Sequence, residues 1–60
     1  MIDFINEQRK LRAINKQDFC KDICSVSTYN RYLDNSVNIP YVTVLKLLNR
    51  LGYDIAIALR

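Results

Sequence analysis

Apolar positions in this 60-residue chain recur at helical spacing through most of its length and change to strict alternation near the end. The spacing predicts a first helix over residues 4–12, with Asp3 as its N-cap and a stripe of Phe4, Ile5, Gln8, Leu11 and Arg12 that Ile14 extends into the core. Asn15 reads as the N-cap of a second helix over 16–22, with Phe19, Cys20 and Ile23 turned inward and Cys24 in the following turn. Ser25 reads as the N-cap of a third helix reaching Leu33, with Tyr29, Tyr32 and Leu33 as its apolar side. Asn35 suits the left-handed conformation that ends a helix. A loop over 36–39 follows, and Pro40 opens a fourth helix at a position where its missing N–H costs nothing. That helix, 41–51, carries Val42, Val44, Leu45, Leu47, Leu48 and Leu51 and stops at Gly52. In the tail 54–60, Ile55, Ile57 and Leu59 alternate with small or polar residues, which is the strand period.

One glycine and one proline leave few breakers among many helix formers, so the pattern predicts an all-α fold: a compact bundle of four to five helices forming a single domain, 1–60. The expected core is Ile5, Ile14, Phe19, Ile23, Tyr29, Leu33, Val44, Leu45, Leu48 and Leu51. Half the residues are hydrophobic, enough for a real core in a chain of this size. A domain this small buries only ~60% of the surface its unfolded chain exposes, so its stability is marginal. A single strand in a helical domain has no internal partner, and its free N–H and C=O groups invite pairing with a second copy. Residues 54–60 therefore read as a dimerisation tail burying Ile55, Ile57 and Leu59; the alternative is a prolonged fourth helix or a cap on the core.

Charge changes this picture only a little. The net charge is +3 and the isoelectric point about 9.1, modestly basic. Arg9, Lys10, Arg12, Lys16, Lys21 and Arg31 all fall in the first 31 residues, a distribution suited to a polyanion or to ordinary solvated helix faces. Cys20 and Cys24 stand four apart with no histidine in the chain, too few ligands for a structural zinc and poorly placed for a disulfide. Reduced, buried thiols fit a cytoplasmic protein. No signal peptide and no membrane-spanning run are expected. The absence of histidine, paired carboxylates and a glycine-rich loop argues against catalysis, and no cofactor is expected.

Two short helices separated by a tight turn, the second opening on Ser25-Val26-Ser27-Thr28, are what a helix-turn-helix needs to set one helix in a DNA major groove. The unit spans about 16–33, and the expected solvent face of the third helix is Val26, Ser27, Thr28, Asn30 and Arg31. Arg31 has the fork geometry for guanine O6 and N7, Asn30 suits adenine, and Val26 or the Thr28 methyl suits a thymine methyl. The free N–H groups at the starts of helices two and three, with Lys16 and Gln17 beside the first, suit phosphates, and Tyr41 falls where a backbone contact would be made. Double-stranded DNA read as a palindromic operator by a homodimer is the expected partner. A protein-interaction module of the same fold, acting as antirepressor or antitoxin-like partner, is the competing expectation.

The segment FCKDICSVSTYNRYLDN, followed five residues on by Pro40, resembles the Xre-type helix-turn-helix of phage Cro and repressor proteins, a lambda-repressor-like fold. Its turn, one residue shorter and containing Ile23-Cys24, is similar to that of the Rgg/PlcR group of Gram-positive regulators, and the resemblance covers about 4–53. It implies a small transcriptional repressor, bacterial or phage-encoded and associated with the nucleoid. It further implies phosphate contacts from Asn15, Lys16 and Gln17, base contacts from Ser25, Val26, Ser27, Thr28 and Arg31, and backbone contacts from Asn38 and Tyr41. Departures are Leu33 where the family carries an acidic residue bonded to the arginine matching Arg9, Lys16 for a glutamine, and Asn35 for a glycine. The family's buried ion pair is therefore either lost or rebuilt with Asp34. The tail LGYDIAIAL is similar to the pairing strand of HipB-like antitoxins.

Overall fold

Helix formation begins two residues earlier than the pattern suggests. In the computed structural model, which describes residues 1–53, α1 runs Ile2–Leu11, α2 Lys16–Cys20, α3 Val26–Leu33 and α4 Tyr41–Arg50. The described residues are all-helical, as expected from the pattern. The strand expected over 54–60, with Ile55, Ile57 and Leu59, lies outside the described residues.

The phase of α1 differs from the expected stripe. Its buried side chains are Ile2, Ile5 and Arg9, spaced three and four apart, whereas Leu11 is 71% exposed and Phe4 46%. Asp3 is inside the first turn, where its charge complements the helix dipole; the N-cap position belongs to Met1, with no side-chain cap. The cause is Arg9, which lies along the core by its methylene stem while its guanidinium is satisfied locally. Its Nε donates to Asn6 Oδ1 at 3.1 Å and one terminal nitrogen donates to the Ile14 carbonyl at 2.6 Å. Tyr29 Oη donates to the same Asn6 Oδ1 at 3.0 Å, so α1 and α3 share one polar node. Asp34 does not rebuild an ion pair with Arg9: its carboxylate lies fully exposed beyond α3 and accepts from the Ser36 N–H at 2.8 Å.

Local chemistry explains the helix ends. The Asn15 Oδ1 accepts from the Asp18 N–H at 2.7 Å, and Ser25 Oγ accepts from the Thr28 N–H at 3.0 Å, both N-caps as anticipated. Three helices close in the same way, with the residue after the C-cap left-handed: Ala13 (φ 56°), Asn35 (φ 64°) and Gly52 (φ 100°). The paired bonds are Ile14 N–H to Arg9 O with Ala13 N–H to Lys10 O, then Ser36 to Arg31 with Asn35 to Tyr32, then Tyr53 to Leu48 with Gly52 to Asn49. Helix α2 ends at Cys20 rather than 22, because Lys21 (φ −52°, ψ 129°) and Asp22 (φ 64°) form a type II turn closed by Ile23 N–H to Cys20 O at 2.9 Å.

Phe19, Tyr29, Ile5, Leu47 and Cys20 are the largest fully buried side chains, with Ile2, Tyr32, Val44 and Leu51 around them. Of the expected core, Ile14, Ile23, Leu33 and Leu48 are only half-buried and pack against this cluster from its rim. Leu45 is buried but stands apart from the cluster, and Val42 is 58% exposed. The central pair is Phe19 on α2 and Tyr29 on α3, edge to face with ring centroids 5.8 Å apart.

Candidate nucleic-acid interface

The turn over 21–25 and the cap at Ser25 set α3 so that Tyr29 and Tyr32 face the core. What remains outward is Ser27, Asn30, Arg31 and, one turn beyond, Asp34, positions that share one side of a helix. Val26 and Thr28 are half-buried rather than on that face, and the Thr28 hydroxyl is engaged by Ser25 Oγ at 2.9 Å. The outward face thus holds three of the five side chains expected there. Ser25, Gln17, Asn15 and Asn38 are exposed, and Tyr41 is 65% exposed.

Lys16 and Asn30, expected to make separate contacts, are bonded to each other: Lys16 Nζ donates to Asn30 Oδ1 at 2.8 Å. The first residue of α2 therefore reaches across to the outward face of α3. The bond takes up one acceptor site of the Asn30 amide and leaves its two N–H donors uncommitted to it.

Two carboxylates temper the face, and the hydrophobic pattern points to neither. Asp18, in the first turn of α2, accepts from Asn15 Nδ2 at 3.1 Å, placing negative charge where a phosphate was expected. Its own N–H is taken by Asn15, which leaves Lys16 and Gln17 as the first-turn donors there. Asp34 lies near Arg31, and its carboxyl is held below the ordinary carboxylate range by Ser36 first and Arg31 last. Of the six early cations, Arg9 is buried, and Arg12 is folded back onto Gln8 Oε1 at 2.8 Å. Lys16 and Arg31 are the cations the fold brings to the candidate face.

Arg50 is a further contributor that the sequence does not single out. From the last turn of α4 it donates to the Asp18 carbonyl at 3.1 Å and to the Lys21 carbonyl at 3.0 Å. Its fork ties α2 and the turn to α4. The only hint in sequence is a cation near a helix end, which does not name its acceptors.

The thiols are free, with Cys20 buried and Cys24 half-buried. Burial first, then the neighbouring Cys24, pushes the Cys20 thiol up to about 12, so it stays protonated and unreactive at neutral pH. Among the described residues no cluster of three or more His, Cys, Asp or Glu is placed to hold a metal, and no helix is long and apolar enough to cross a membrane. No protein-family model, curated protein or solved structure matches this chain.

Proposed function

We propose that this chain is a sequence-specific double-stranded DNA-binding regulator, a small repressor of phage or mobile-element type. In this reading α2, the 21–25 turn and α3 act as a helix-turn-helix, and α3 enters the major groove. The observation that carries it is the outward side of α3, where Ser27, Asn30 and Arg31 stand exposed while α2 adds the Lys16 ammonium beside Asn30. Arg31 supplies base discrimination; Lys16 supplies charge and orients Asn30. The long dimension of the described fold is 30 Å, under the ~34 Å of one duplex turn, so one copy covers one half-site and a palindrome takes two.

Binding-site selection with the purified protein tests this directly. A defined motif is expected, with affinity falling steeply as salt rises because phosphate contacts release counterions. Arg31→Ala should weaken the cognate site by ~1–3 kcal/mol and relax preference at one base position. Lys16→Ala should weaken all sequences and lower the salt slope by about one. Because Asn30 loses its partner in that variant, some preference at a second position should go as well. An Arg31→Ala protein with unaltered preference would refute this reading face.

A second reading rests on Val37, Tyr41 and Val42, which are 42%, 65% and 58% exposed near the start of α4. Such side chains suit a protein partner, with the same fold acting as an interaction module. Salt-insensitive behaviour and no selected motif would favour it.

A further inference from the structure

Lys16 Nζ and Asn30 Oδ1, 2.8 Å apart, join the first residue of α2 to the outward side of α3. An ammonium has three N–H donors and no acceptor, so only the oxygen end of the amide can meet it. The contact therefore fixes which way the Asn30 amide points, a choice that an isolated asparagine leaves open. Among the described residues Asn30 Oδ1 is the one acceptor bonded to the Lys16 ammonium, and Asn30 Nδ2 donates to none. Asn30 is exposed, next to Arg31 and three residues from exposed Ser27, so its amide belongs to the face proposed to enter the groove.

We infer that Lys16 and Asn30 act as one unit that offers donors, and that it reads guanine rather than the adenine an unpaired asparagine prefers. The inference rests on the DNA reading and gives it a base. Adenine offers asparagine two bonds at once, N7 accepting from Nδ2 while the N6 amino group donates to Oδ1. Here the ammonium takes one acceptor site of Oδ1, and an adenine amino group at the other would bring its donor hydrogens against a cation. Guanine carries two acceptors, N7 and O6, on the same edge and no donor there. The Nδ2 hydrogens then meet acceptors, and the positive charge of Lys16 adds attraction to O6. Cytosine presents an amino donor and is disfavoured as adenine is; thymine offers a single acceptor beside its methyl. Lys16 is thus a positioning residue. Asn30 touches the base, and Lys16 decides which base it is.

Binding-site selection with the full chain, Asn30→Ala, Lys16→Met and the double variant tests it, with circular dichroism and a melting curve for each protein. The position to watch is the one whose preference Asn30→Ala relaxes, and the parent should select guanine there. Lys16→Met keeps an apolar stem and removes the donors. Adenine should then gain on guanine at that position by roughly five- to hundredfold, the discrimination of one bidentate pair, while the position read by Arg31 stays as it was. In the Asn30→Ala background Lys16→Met should no longer move the preference, because Lys16 acts through the amide. Any base but guanine at that position in the parent overturns the inference and leaves the DNA reading standing. So does guanine retained by a folded Lys16→Met protein, or a motif in which no position answers to Asn30→Ala. A Lys16→Met shift that persists without Asn30 overturns it as well, giving Lys16 a base contact of its own. Should Lys16→Met fail to fold, the parent and Asn30→Ala motifs still decide, since Asn30 is exposed. No motif from the parent sinks the DNA reading, and this inference with it.

Discussion

Arg9 is a buried guanidinium whose bonds go to a side-chain amide and a main-chain carbonyl rather than to a carboxylate. Arg9→Ala should therefore destabilise by orphaning the Ile14 carbonyl, ~1–3 kcal/mol for that group alone, with lost stem packing added; urea unfolding measures it. Tyr29 shares the node, and burial pushes its phenol above its ordinary 10.0 despite the opposing pull of Arg9. The fold thus favours the neutral phenol. Stability from this group is complete below pH 10 and drains as pH rises through the raised value. Tyr29→Phe should lose about 1 kcal/mol at neutral pH with the bond to Asn6. Its stability should then fall less steeply than the parent's in alkaline urea titrations. In the core, Leu47→Ala should cost ~2–5 kcal/mol and unfold much of so small a domain, whereas half-buried Leu48 should cost clearly less. Equal losses at 47 and 48 would contradict that order of burial.

At the scale of elements, three helices end on a left-handed residue, and only Gly52 is one that adopts the conformation freely. Ala13→Gly should relieve strain at φ 56° and, net of the looser unfolded chain, stabilise by about 0.5–1 kcal/mol. For a domain of this size that is a rise in Tm of several degrees, read by calorimetry. Gly52→Ala should do the reverse: nothing lies within 4 Å of the added Cβ, so only the backbone strain at φ 100° remains. These ends also show what sequence can carry. Asn15, Ser25, Asn35 and Gly52 act on groups within a few residues of themselves, and their roles were legible. The phase of α1 was not, because Arg9 counts as polar in any periodicity while its stem behaves as apolar. The bonds from Lys16 to Asn30 and from Arg50 to Asp18 and Lys21 span 14, 32 and 29 residues, and no local pattern announces them. The all-helical fold could be anticipated; of the candidate face, Ser27, Asn30 and Arg31 could be, but neither the Lys16 link nor the tempering carboxylates.

For the whole molecule, the charge available to a polyanion is smaller than the sequence total implies, since Arg9 is buried among the net +3. Under the DNA proposal one copy therefore binds weakly, and tight operator binding comes from two. The salt slope should fall by ~0.9 for every phosphate the protein no longer neutralises. Cutting the palindrome back to a single half-site should roughly halve the slope. Electrophoretic mobility shift across salt concentrations measures it; an unchanged slope would mean that a single copy occupies the whole site.

The grip of Arg50 on α2 carries a consequence for how the chain is made. Five residues are far too few for a helix to persist unaided, since isolated helices below ~12–15 residues are marginal in water. Helix α2 is anchored at its start by Asn15 and at its exit by a guanidinium that arrives 29 to 32 residues later. During synthesis the first 49 residues are joined before the side chain that ties the 16–25 segment to α4 exists. The segment can therefore take up its link to α4 only once nearly all of the described chain has been made.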